Sequence, residues 1–296
     1  MVGEPRPAGP ARSGGWLRAN RHHLFRAFKY TIYCLLAWNV FLFFQEDLAA
    51  SAETFGDTVS WRNVVEAYSA TIDTAAWVVL LLLFELETAV IPDAKLKGNL
   101  KWALLAIRAV SYFFIVYAFY GYIYKYGVVS NLLPFTYDDL CSLAGGAYTY
   151  IDTLDEYLPL DAAACLALQG QALVQIEGTQ IIGTAEAATA ALRLAMVDIV
   201  NAGDWLIIVV LLEVEVFLQI REMLTDRMIA TGKWVKGFFY LILFGAAAYW
   251  GVLGDFLDFW DAFLWLVAFI FIELNIFQWH EEVEEQHERQ HPGAVA

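Results

Sequence analysis

Basic residues, cysteine and the usual enzyme signatures are scarce or missing in this chain. Lys and Arg together number 18 against 33 Asp and Glu, a formal net charge of −15. The acids concentrate in 46–74 and 126–204, which therefore offer no basic surface on which a nucleic acid could settle. The sequence contains no glycine-rich phosphate loop, no dinucleotide fingerprint, no nucleophile elbow and no HExxH. Nucleotide-dependent, serine-hydrolase and zinc-protease chemistry therefore has no support. Cysteine occurs three times. Cys34 lies in an apolar run and reads as a small packing residue, so only Cys141 and Cys165 remain for a disulfide.

Apolar surface is abundant instead. Hydrophobic residues make up 59% of the 296 positions and Phe, Trp and Tyr 16%, more than a soluble globular domain of this length carries. The apolar residues come in blocks, at 28–45, 75–91, 102–124, 203–220, 234–253 and 260–279. Each is close to the roughly 20 residues that cross about 30 Å of hydrocarbon. The first block follows a polar, Arg-rich stretch and ends in Gln45, Glu46 and Asp47, so it reads as a retained span rather than a signal peptide.

Charge is segregated along the chain. Arg6, Arg12, Arg18, Arg21, Arg26 and Lys29 precede the first block, Lys95, Lys97 and Lys101 follow the second, and Arg221, Arg227 and Lys233 follow the fourth. The positive-inside rule then places both termini in the cytoplasm. The expected plan is an all-α protein with six membrane helices, in a cell's inner (plasma) membrane. It divides into a basic cytoplasmic arm (1–27), a membrane domain (28–280) and an acidic cytoplasmic tail (281–296). The stretch 126–202 forms an extracytoplasmic loop domain, where a Cys141–Cys165 disulfide suits an oxidising compartment. The end of that stretch, from Thr184 through Val200, has helical composition and reads as a surface or capping helix.

The chain repeats itself. A shift of 128 residues carries Asp73, Trp77, Glu85 and Glu87 onto Asn201, Trp205, Glu213 and Glu215; a further 60 carries these onto Asp261, Trp265, Glu273 and Asn275. Lys29-Tyr30, Lys101-Trp102 and Lys233-Trp234 open the intervening helices as basic and aromatic interfacial anchors. The unit is thus a helical hairpin, and three of them predict a pseudo-three-fold bundle. Asp73, Asn201 and Asp261 are expected as helix N-caps, and Trp77, Trp205 and Trp265 as interface aromatics. Six spans in three repeats are also the plan of the mitochondrial carriers. Their signature of Pro, acid and base on the odd helices is missing, because helices 1, 3 and 5 contain no Pro.

Ionisable groups at membrane depth are costly and functional by default. Glu85 falls about 9 Å inside the end of its span, and Glu213 and Glu273 fall at comparable depth. The expectation is an ion-binding set of Glu85, Glu213 and Glu273, surrounded by Glu87, Glu215, Asn275 and Arg108. Residues two apart point about 200° from each other, so only one Glu of each pair can face a common axis. Such oxygen ligands suit a proton or a hard divalent cation, the one candidate cofactor. The competing expectation is that these Glu residues are interhelical glue, with Tyr117, Tyr120, Tyr124 and Asn39 as available partners, or that they dock the chain onto a larger membrane complex or a second copy of itself. His280, His287 and His291 in the tail read as a charged, solvated helix, and the basic N-terminal arm as a contact for the bilayer's anionic headgroups.

Overall fold

In the computed structural model the described residues are 15–55, 64–91, 97–152, 156–221, 223, 225–253 and 255–269. Long apolar segments dominate. Helix α1 runs Gly15–Phe55, far beyond the expected span and well into the basic arm. A single turn, α2 (Val64–Ala67), leads to α3 (Ser69–Glu85), which ends in a π-helical turn, Leu86–Val90. Helix α4 (Asn99–Ser130) returns. After the loop domain come α6 (Ala185–Ile220), α7 (Asp226–Leu253) and α8 (256–269). Four of these helices are long and apolar enough to cross a membrane: those containing His23–Thr54, Asn99–Ser130, Ala185–Glu215 and Arg227–Leu253.

Consecutive long helices pack as neighbours, α3 between α1 and α4, then α4 on α6 and α6 on α7. One core takes residues from all of the long helices: Leu36 of α1, Leu81 of α3, Ile115 of α4, Ile208 of α6, Leu243 of α7 and Leu264 of α8. The opposite faces carry bare apolar side chains, among them Trp102, Phe113, Val210, Trp234, Phe238 and Leu241. A belt of that kind suits hydrocarbon rather than water. Cys34 is a free thiol on an exposed face of α1, not the packing residue expected.

Between α4 and α6 the all-α expectation fails. This stretch holds β1 (Leu132–Phe135), β2 (Thr149–Ile151), β3 (Tyr157–Pro159), the short helix α5 (Ala162–Leu168), β4 (Leu173–Ile176) and β5 (Ile181–Thr184). They form one sheet of order β1-β4-β5-β2-β3, antiparallel except where β2 runs alongside β5. Gly178, at φ 78°, turns β4 back into β5, a left-handed backbone that a side chain would strain. Cys141 and Cys165 are bonded, joining a 3-10 turn (Leu140–Leu143) to α5 over a small core of Leu140, Leu160, Leu173 and Ile182. A second correction concerns 184–200. That run is no separate surface helix but the first half of the 36-residue α6, which leaves β5 without a break.

Helix starts also differ from expectation. Helix α3 begins at Ser69, so Asp73 lies in its second turn and does not cap it. The free N–H of Thr71 is instead taken by Asp47 of α1, which accepts from Thr71 N at 2.9 Å and Thr71 Oγ1 at 2.6 Å. Helix α6 is capped by Thr184, whose Oγ1 accepts from Ala187 N at 3.1 Å. Asn201 is therefore deep within a continuous helix. Asp261 sits inside α8 in the same way, while Asp255 accepts from Asp258 N at 3.4 Å at its start.

Candidate functional site

Freed from capping, the three repeated polar residues meet. Asp73, Asn201 and Asp261 line a single cavity of about 60 Å³ at the end of the bundle nearest the loop domain, and Trp77, Trp205 and Trp265 line it with them. The indole rings are buried, at 7%, 7% and 6% exposure, rather than on the outer surface where membrane-interface aromatics were expected. They pack on one another instead: Trp77 lies 6.2 Å from Trp205 and 6.2 Å from Trp265 between ring centroids, and Phe269 closes on Trp205 at 4.4 Å. A tilted aromatic cluster of this kind adds stability beyond its buried area. It also forms a solid apolar wall to the cavity.

The carboxylates are held in place individually. Asp261 accepts from Asn39 Nδ2 at 2.8 Å and is also engaged by the Trp265 side chain one turn on. Asp73 accepts from the Tyr122 hydroxyl at 3.4 Å and is engaged by Trp77 in the same i to i+4 relation. Asp73 and Asp261 lie within electrostatic range of each other. Glu46, Asp198 and Asp258 complete the acidic lining, and Lys125 is the basic group among the lining residues. Asn201 and Trp250, which both line the cavity, each carry a buried polar atom with no hydrogen-bond partner, Asn201 Oδ1 and Trp250 Nε1. Trp250 itself is 3% exposed.

The carboxylate layer at the other end of the helices is arranged differently from the expected ring. Glu85 is buried and paired with Lys29 at 2.6 Å, with the hydroxyls of Tyr30 and Tyr33 donating at 3.1 and 3.4 Å. Lys29 is thus no interfacial anchor; at 5% exposure it is a core residue. Glu87 pairs with Arg108, Glu215 with Lys236 at 2.8 Å, and Glu213 accepts from the Tyr112 hydroxyl at 2.6 Å. Tyr117 and Tyr120, expected as partners, stack on one another instead. The first two Glu-bearing helices therefore reach both neighbours: α3 ties to α1 through Glu85 and to α4 through Glu87, and α6 ties to α4 through Glu213 and to α7 through Glu215. The shift of 128 residues that carries Glu87 onto Glu215 also carries Arg108 onto Lys236, so both ion pairs span 21 residues. Gly232 lies against the Glu215 carboxylate, which would have to shift to admit a Cβ there.

Glu273, Asn275, His280 and the tail 281–296 lie outside the described residues. Among the described residues no three His, Cys, Asp or Glu side chains group closely enough to ligate a metal ion together. The cavity itself went unseen in the sequence reading. Its signal was present in the offsets that aligned Asp73, Asn201 and Asp261, but Asn39, Tyr122, Lys125 and Trp250 come from the intervening helices, whose facing residues no repeat marked.

The chain has no significant match to a protein-family model, a curated protein or a solved structure.

Proposed function

We propose that the protein is a multi-pass membrane protein that binds a cation or proton in this cavity and moves it through the helix bundle. The observation that carries the reading is the charge of the lining: five carboxylates, of Glu46, Asp73, Asp198, Asp258 and Asp261, against the single amine of Lys125. An acidic lining of this kind, partly shielded from water, favours an occupant that brings positive charge, whether a proton or a cation. The disulfide and the basic residues at the far helix ends support an extracytoplasmic loop domain, with the cavity opening on that side. On this reading the bundle has six spans. Helix α3 with its π turn, and the apolar block 260–279 whose first residues lie in α8, supply the two not counted among the four. The inner Glu residues act mainly as clamps between helices, and the Trp77, Trp205 and Trp265 contacts must part for an ion to pass inward.

The test is flux in proteoliposomes. Asp73→Asn combined with Asp261→Asn should abolish uptake of protons or cations, whereas unchanged flux, or none in the parent protein, discards transport through this site. A second reading is an accessory subunit of a larger membrane complex, or one chain of a homo-oligomer. Glu213 favours it, because this carboxylate stands on an exposed face of α6 beside Val210, Val214 and Phe217. A stoichiometric partner retained through mild-detergent purification and lost in Glu213→Leu would support that alternative.

A further inference from the structure

Glu85, Glu87 and Glu215 each pair with a cation of their own chain, namely Lys29, Arg108 and Lys236. Glu213 differs from these three. The Tyr112 hydroxyl donates to it at 2.6 Å, and among the described residues no basic side chain pairs with it. The shift of 128 residues makes Glu213 the counterpart of Glu85. The first hairpin therefore displays this position in its completed form: a carboxylate, tyrosine hydroxyls and an ammonium at 2.6 Å. In the second hairpin the carboxylate and a hydroxyl are present, and the chain itself brings no ammonium to them among the described residues. That contrast identifies a partner chemistry, given the accessory-subunit reading above on which it rests.

The two positions also differ in surroundings. Glu85 is buried, whereas Glu213 is exposed. It stands in a stripe of α6 with Val210, Val214 and Phe217, all exposed and three or four residues apart, the spacing of one helix face. Val116, one turn beyond Tyr112, adds an exposed apolar side chain on α4, which packs against α6. Eight residues, or about 12 Å, separate Glu213 from Arg221, the first basic residue after it. The carboxylate thus falls in the inner half of a hydrocarbon layer about 30 Å thick, where lipid tails offer a charge nothing and its exposure is costly. A second copy of the chain is a poor source of the missing cation, since Lys29, Arg108 and Lys236 are already engaged by Glu residues of their own chain. We infer that Glu213 and this face of α6 receive a membrane-spanning helix of a different protein, which presents a Lys or Arg side chain to the carboxylate.

The probe is a set of designed Leu-rich membrane-spanning peptides that carry Lys, Leu or Glu at the depth of Glu213. Each is labelled, mixed with the full chain in lipid vesicles and followed by resonance energy transfer. The Lys peptide should associate about tenfold more tightly than the Leu peptide, the scale of one strong polar contact between membrane helices. Glu213→Gln should erase that preference. Glu213→Lys should turn it toward the Glu peptide, a switch that misfolding does not imitate. Equal binding of the Lys and Leu peptides, or a preference that survives Glu213→Gln, overturns the inference. In that event the accessory-subunit reading still stands if mild-detergent purification brings a stoichiometric partner; if it brings none, both fall.

Discussion

Removing one half of the Lys29–Glu85 pair should be among the most damaging single changes to the bundle, and removing both halves should be nearly harmless. The two side chains are 6% and 5% exposed and 2.6 Å apart. Stranding one member of a buried pair costs about 3–5 kcal/mol, whereas an apolar pair of similar volume is often neutral. The two single variants differ in what is left behind. Lys29→Met leaves Glu85 with the hydroxyls of Tyr30 and Tyr33, which places its cost near 3 kcal/mol. Glu85→Leu leaves the ammonium with only the Tyr30 ring, whose centroid is 5.3 Å away. A desolvated contact of that kind returns about 1–2 kcal/mol, so this variant should still fall within the same range of about 3–5 kcal/mol. The double variant should lie within about 1 kcal/mol of the parent, with a coupling of at least about 2 kcal/mol. Unfolding by SDS, read through the fluorescence of the 11 tryptophans, measures all four proteins. Single variants that each cost less than about 1 kcal/mol, or a double variant that costs their sum, would refute the clamp. Flux that survives in the double variant would further separate this pair from the ion path.

Two other consequences concern packing and covalent closure. A Cβ at Gly121 would stand 2.9 Å from Val65 O and 3.0 Å from Ser69 Cβ, so Gly121→Ala should push α4 from α2 and α3 and cost about 1–3 kcal/mol in the same SDS titration; an unchanged midpoint would show that the helices do not approach there. Replacing Cys141 and Cys165 by Ser opens a loop of 24 residues, worth about 3 kcal/mol. Limited proteolysis should then cut within 132–184 many times faster while the bundle stays intact, and equal cutting rates would deny the disulfide its stabilising part.

The long helices were readable because a membrane span announces itself by length and apolarity alone, without reference to neighbours. The polar residues that matter were also readable as positions, since fixed offsets picked out Asp73, Asn201, Asp261 and the three Trp residues that share the cavity. Their roles were not. Capping depends on where a helix begins, and that is decided by partners distant in the chain: Asp47 on α1 satisfies the start of α3, and the sheet feeds α6 directly from β5. The partner of Glu85 was hidden in the same manner, because Lys29 looked like a headgroup anchor, whereas α1 continues through it and turns its side chain into the bundle. The sheet escaped notice because its strands run only three or four residues, too short for a two-residue alternation to declare itself.

Helix α6 joins two regions that a hinge would have kept mechanically separate. It starts where β5 ends and carries Asn201 in the same unbroken rod of 36 residues. Across the 17 residues from Thr184 to Asn201 that rod spans about 25 Å, with no proline in it to bend. A push or twist applied to the sheet is therefore delivered to the amide beside Asp73 and Asp261 with little loss, as a crankshaft delivers torque. The sheet and the polar chamber within the bundle are thus coupled through one continuous element.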